Sequence, residues 1–335
     1  MSERDADERT DVRALPELVL RRHGRLTAGD HGDELLTMSV GPAGEAIGLW
    51  CSPDDVAGLT SMTTEPGGAA FPDSRAARPA DIRITVHCPD LGDVVRVAAM
   101  PLAYPSVQPL PGGRSLAVGG RCLWRPEGPD RNAIMYASDG TVAGEYTLGD
   151  GIEDVFTTPS GQAWVSYFDE GVFGNYGWGG PGPAPLGACG LARFGPAGEP
   201  RWRFPSDGAL GIADCYALNV VGETAWACYY TDFPVVRVQH GQVTSWRNEL
   251  ASGVRGLIVD DGRVALVGGY SGHRDRLVVA ELGDGALREV GRYRLVLPDG
   301  RPLPDRVRVV GRGDRLHIFH GLDWFQMSMD DIVSP

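Results

Sequence analysis

The chain has 335 residues, 42% of them hydrophobic, with 47 glycines and 25 prolines, a composition that supplies a buried core and turns in abundance and excludes a disordered body. Its formal net charge of -13 repels phosphate backbones and anionic lipid, and no local basic patch offsets it, so neither nucleic acid nor a membrane surface is expected as a partner. All 31 lysine-plus-arginine positions are arginine, which excludes a Schiff-base lysine, a pyridoxal phosphate attachment and a P-loop.

In chain order, residues 1 to 13 are charged and aperiodic and read as a loose tail, leaving 14 to 335 as a single domain. Leu18 to Leu26 reads as a lone strand. From Glu34 onward, short alternating or β-branched runs are separated by turn dipeptides, among them Asp139-Gly140, Asp261-Gly262, Asp284-Gly285 and Asp299-Gly300, the mark of antiparallel hairpins. No stretch keeps the three-to-four-residue apolar spacing of a capped helix, so βα crossovers are not expected. The fold class is all-β.

The runs group into units: Glu34 to Leu102, Tyr104 to Asp150, Gly151 to Asp207, Gly211 to Ala251, Gly253 to Gly300, and a short one from Asp305. Four strands in each of several units of about 40 to 50 residues describe a β-propeller. Six blades are expected, and seven if the first insertion, Pro53 to Arg78, hides strands. The last unit is too short, so the N-terminal strand is expected to complete it and close the ring, which removes an exposed sheet edge. A second insertion, Phe173 to Gly187, is glycine- and proline-rich and is long enough to act as a lid.

Gly151-Ile152-Glu153-Asp154-Val155 recurs as Gly211-Ile212-Ala213-Asp214-Cys215 and, more loosely, as Gly253-Val254-Arg255-Gly256-Leu257. Each is followed by a turn and a second strand: Ala163 to Tyr167, Ala225 to Tyr229, Val264 to Gly268. This pattern resembles the repeats of NHL-type and gluconolactonase-like six-bladed propellers. The resemblance implies a divalent metal in the central channel, held by glutamate, asparagine and aspartate. Asp154 and Asp214 match that set by repeat position, but no matching asparagines accompany them, so no cofactor is expected.

In such repeats the first strand starts, and the second strand ends, at the same face. This points to Asp154 and Asp214 as catalytic carboxylates, since crowded acids can divide into a general acid and a general base. Glu153, Tyr167, Asp169, Tyr229, Tyr230, Asp232, Arg255, Tyr270 and Trp324 become the candidate substrate-binding residues, giving an aromatic and acidic mouth. The competing readings are that the aspartates cap strand turns and that the aromatics fill the gaps between blades. His317 and His320, three apart on one strand, point to opposite faces and cannot share an ion. Cys215 and Cys228 read as core thiols. The function expected is a small-molecule site at the channel mouth, serving a hydrolase or isomerase of a polar substrate. The alternative is a non-enzymatic module that binds a ligand, a peptide or a protein. Six cysteines without CxxC spacing, no charged-then-apolar leader and no apolar run of membrane length point to a cytoplasmic setting.

Overall fold

Nearly every apolar run of the sequence becomes a strand, and successive strands pair antiparallel in the order in which the chain lays them down. The computed structural model describes residues 11 to 205 and 210 to 333. Blade 1 comprises Glu34–Val40, Ala46–Cys51, Arg75–His87 and Leu91–Leu102; blade 2, Pro105–Leu110, Arg114–Gly119, Ala133–Tyr136 and Val142–Tyr146; blade 3, Ile152–Thr157, Ala163–Tyr167, Leu191–Phe194 and Pro200–Arg203. Blade 4 comprises Asp214–Val221, Thr224–Tyr230, Val235–Gln239 and Gln242–Trp246; blade 5, Gly256–Val259, Arg263–Val267, Arg276–Leu282 and Leu287–Val296; blade 6, Arg308–Arg312, Arg315–His320 and Asp323–Ser328, completed by Arg21–Arg25. The fold is an all-β, six-bladed propeller.

Inner strands are packed on both faces, which is why they read as apolar runs rather than alternations: Ala46–Cys51 and Gly256–Val259 are buried throughout. Fourth strands lie at the rim and stay largely exposed, as in Val142–Tyr146 and Pro200–Arg203.

The chain divides into two compact units, Leu26–Asp214 and Met1–Arg25 with Cys215–Pro335. The first holds blades 1 to 3. Ile47, Leu49, Ile82 and Ile84 pack there against Val107 and Ile134. Gln108 staples its inner strands: its amide donates to Ser39 Oγ at 2.6 Å, and its carbonyl oxygen accepts from Thr157 N at 3.0 Å. Each blade of this unit lengthens the connection from its second to its third strand. Blade 1 inserts the helix Pro53–Leu59, opened by a Ser52 cap and a proline in the first turn, then a small hairpin, Met62–Thr64 with Ala70–Pro72. That hairpin forms its own two-stranded sheet, so the insertion hides no seventh blade. Blade 2 inserts a hairpin of Trp124–Arg125 with Gly128–Pro129, and blade 3 a short helix, Asp169–Phe173, followed by a glycine-rich loop.

The second unit holds blades 4 to 6. The N-terminal segment serves two blades rather than one: Glu17–Val19 pairs parallel with Arg294, Leu295 and Val296 of blade 5, and Arg21–Arg25 pairs antiparallel with Asp323–Ser328 of blade 6. The cause is packing, since Leu18 and Leu20 both enter the apolar core of blades 5 and 6 with Leu295, Ile318 and Phe325. Asn219 is the counterpart of Gln108: its amide donates to the carbonyls of Leu257 (2.7 Å) and Gly313 (2.9 Å), and its oxygen accepts from Gly313 N at 2.8 Å. At Gly311 any Cβ would overlap the Leu257 carbonyl, so only glycine lets these inner strands approach. Of the expected tail, residues 1 to 10 lie outside the described residues; Val12–Ala14 forms a single 3-10 turn capped by Asp11.

Candidate functional site

In the unit of blades 4 to 6, the starts of first strands and the second-to-third connections come to one end. Tyr216 stands near the start of blade 4's inner strand, Tyr230 ends its second strand, and Asp232 and Phe233 lie just beyond. Tyr216, Phe233, Tyr230 and Tyr270 form an edge-to-face cluster with centroid separations of 5.2 to 6.1 Å, the arrangement favoured by ring quadrupoles. Tyr270 Oη donates to Tyr216 Oη at 2.9 Å. Phe233 is buried, while Tyr230 and Tyr270 keep 46% and 43% of their surface in solvent. Asp232 and Phe233 hold φ of +55° and +52°, a left-handed conformation that side chains other than glycine and asparagine rarely take.

Arg255 lies at the same end of blade 5. Its stem packs over Gly268 and the Tyr270 ring over Gly253, two positions where a Cβ would crowd the neighbour. Among the described residues no carboxylate pairs with Arg255. Partial burial lowers its pKa, and the charges of Arg274 and Arg308 lower it further. Arg274 pairs with Asp305. This mouth therefore combines aromatic rings and guanidinium groups with the Asp232 carboxylate.

Of the other acidic candidates, Glu153, Asp154 and Asp169 belong to blade 3, and Asp214 opens the first strand of blade 4. Glu153 and Asp169 are exposed, and Asp154 is half-buried with its N–H donating to Ser166 Oγ at 3.1 Å. Asp214 is half-buried; burial raises its carboxyl pKa and the charge of Asp169 adds to the rise. Three further candidates are turned inward. Tyr167 is fully buried and donates to Leu148 O at 2.5 Å; Tyr229 is buried in the sheet; Trp324 is buried, stacks on Phe319 and His317, and donates to His317 Nδ1 at 3.1 Å.

The chain matches no protein-family model, and no curated protein matches it. Among solved structures it is similar to an extracellular domain from B. thetaiotaomicron, with a TM-score of 0.44 at 8% identity over 94% of this chain; the chain spans 43% of that one. It is also similar to the PQQ-bound aldose sugar dehydrogenase of Streptomyces coelicolor (TM-score 0.38, 14% identity, 94% of this chain and 99% of that one). The third is YCF48 bound to a D1 peptide (0.42, 11%, 96% and 99%). The sheet order described above, rather than these distant likenesses, defines the fold.

The metal implied by the repeat resemblance does not fit the donors present. Among the described residues no three histidine, cysteine, aspartate or glutamate side chains gather around one point. The buried asparagines Asn132, Asn219 and Asn248 spend their amides on backbone carbonyls. The thiols make poor nucleophiles: burial pushes Cys122 up to about 12, and it also raises Cys228, which touches Phe233 O.

Sequence reasoning missed Asp150. It is buried and receives Arg121 Nη2 at 3.0 Å and Cys122 N at 2.8 Å. Arg121 is buried too, lies 2.6 Å from Glu170 through Nη1, and covers the Tyr176 ring at 3.9 Å. Burial outweighs the Arg121 charge and raises the Asp150 carboxyl to about 6, with Glu170 contributing. The signal available in the sequence was slight, an Asp-Gly turn like many others in the chain.

Proposed function

We propose that the protein binds a small anionic molecule carrying a flat ring, at the mouth formed by blades 4 and 5. The observation that carries this reading is Arg255, an exposed guanidinium whose stem lies over Gly268, which no carboxylate pairs among the described residues, and whose charge is opposed by those of Arg274 and Arg308. Holding like charges together costs free energy that an anion recovers, and an arginine fork suits carboxylate or phosphate oxygens. Tyr230 and Tyr270 offer exposed ring faces beside it for a planar group, and the left-handed backbone at Asp232 and Phe233 is the kind of local strain found at ligand clamps.

Thermal melting with phenyl phosphate, 4-hydroxybenzoate and uncharged benzyl alcohol tests the reading. An anion at about 100 times its Kd adds about 2.7 kcal/mol, and Arg255→Ala abolishes that gain while leaving the unliganded melt nearly unchanged. Equal stabilisation by benzyl alcohol, or an anion response that survives Arg255→Ala, overturns it.

A second reading, hydrolysis or isomerisation of a polar substrate by Asp214 and Asp154, is favoured by the raised Asp214 carboxyl, which suits a general acid. Asp214 and Tyr216 are two apart on one strand and so share a face. Under this reading Asp214→Asn ends turnover with the fold intact. The six unpaired thiols suit a reducing compartment, from which we infer a cytoplasmic setting.

A further inference from the structure

The three long connections of blades 1, 2 and 3 line an open cavity of about 540 Å³, a volume typical of small-molecule sites. It owes nothing to the strand repeat, since its walls are the inserted hairpin of blade 1, the small hairpin of blade 2 and the loop of blade 3. Its floor is fixed by Asp130, which is buried and accepts from Ser74 Oγ at 2.8 Å, Leu123 N at 3.3 Å and Arg125 Nη1 at 2.5 Å. Arg125 and Ser74 hold the Asp130 carboxyl below the ordinary range in spite of its burial. Tyr176 closes one side in a left-handed conformation, φ +47°. Its hydroxyl donates to Pro72 O, its carbonyl accepts from Trp124 N at 2.9 Å, and Arg121 covers its ring.

The charges in this cavity are separated rather than paired. Glu65 and Asp73 come from the blade 1 insertion and face the same space as Arg75 and Arg125, yet among the described residues no ion pair joins either acid to either arginine. Arg125 is spent on Asp130, Arg75 donates only to Arg131 O, and Asp73 accepts from Thr63 Oγ1. A pure anion here meets two carboxylates, and a pure cation meets two guanidinium groups. A molecule carrying both signs meets complementary charge at each end, and Phe71 and Tyr176 supply an apolar wall between them. We propose that this cavity binds a zwitterionic amino acid or dipeptide with an apolar side chain. Its ammonium group is held by Glu65 and Asp73, its carboxylate by Arg75, and its side chain by the two rings.

Calorimetric titration of the full chain with leucine and leucyl-leucine, which carry no flat ring for the blade 4 and 5 mouth, tests the proposal, with N-acetylleucine, leucinamide and glucose as the comparison ligands. At least one zwitterion is expected to bind saturably at millimolar concentration or below, with each blocked form weaker by at least about tenfold. Glu65→Gln and Arg75→Gln are each expected to weaken the zwitterion by a similar factor. Glu65 is exposed on the inserted hairpin and Arg75 is half-buried at the start of the third strand of blade 1, and unchanged melting of the variants confirms that the loss is local. Arg255→Ala, in the other unit, is expected to leave this binding unchanged, so failure here and failure of the blade 4 and 5 mouth are distinguishable. The proposal is overturned by the absence of saturable zwitterion binding, by blocked forms that bind as well as the parent, by a preference for glucose, or by loss of binding in Arg255→Ala.

Discussion

Blades 1 to 3 and blades 4 to 6 follow one strand plan and reach different chemistry through the length of a single connection. In blades 1 to 3 the second-to-third connection is extended, and the extension is anchored by a buried charge network of Arg121, Asp150 and Glu170. In blades 4 to 6 the same connection is short, leaving Tyr230, Tyr270 and Arg255 facing water. The units also bury different titratable groups: an aspartate whose pKa is pushed up, and a histidine, His317, whose pKa is pushed down to about 3 by burial and by the charges of His23, Arg315 and Arg312. Loop length sets what each end displays, and these two buried groups respond oppositely to acid, although blade 1 also buries His87, whose pKa burial lowers.

The largest expected effect breaks the comparison on the histidine side. His317 is fully buried and accepts the Trp324 indole N–H at Nδ1, so the folded state requires it to be neutral. Its folded pKa lies below its unfolded value of 6.5; its contribution is present above pH 6.5 and is lost as the pH falls through about 3. At about 1.4 kcal/mol per unit the loss approaches 5 kcal/mol. Urea unfolding at several pH values between 7 and 3 checks this. His317→Phe keeps the stack and cannot titrate, so its stability relative to the parent should rise steadily as the solution is acidified; a constant difference would refute the assignment.

A smaller effect separates the two staples. Asn219→Ala strands two carbonyls and one N–H between blades, while Gln108→Ala leaves partners, such as Ser39 and Thr157, whose hydroxyls can reorient. Orphaning buried polar groups costs about 1 to 3 kcal/mol each before relaxation. Asn219→Ala is therefore expected to lose about 3 kcal/mol and Gln108→Ala about 2, measured by chemical denaturation. The reverse order would show that the two positions do not play the same part.

Much of this architecture was legible in the sequence because the repeat constrains it. Paired inner strands must be apolar on both faces, so Ala163 to Tyr167 and Ala225 to Tyr229 announced their blades, and the shortfall after Asp305 announced the strand that completes blade 6. The site was less legible. Alternation along a strand tells that Tyr167 and Tyr230 differ in facing only once the register is known, and Tyr167 turned out to lie inside. Arg255 was visible as a charged residue at a strand start, but the guanidinium groups around it come from Arg274 and Arg308, positions that only the folded hairpins bring together. The cavity of blades 1 to 3 was hidden for the same reason: Glu65, Arg125 and Tyr176 belong to three separate insertions, and nothing local in any of them specifies the others.

An effect comparable to that of Asn219→Ala sharpens the comparison on the aspartate side. The folded pKa of Asp150, about 6, lies above its ordinary 3.8, so its contribution is present below pH 3.8 and is lost as the pH rises through 6, with a total of about 2 to 3 kcal/mol. This slope is opposite in sign to that of His317 and falls in an overlapping window, so the two oppose each other in the intact chain between pH 4 and 6. Asp150→Asn keeps an oxygen for the Cys122 N–H and leaves Arg121 with Glu170. Relative to the parent, its stability should increase as the pH rises from 4 to 6 and then level off. If burial of Asp150 were instead outweighed by Arg121, the carboxyl would titrate below 3.8 and the difference would run the other way. The sign of that single slope therefore decides whether desolvation or the ion pair governs the centre that anchors the long connections.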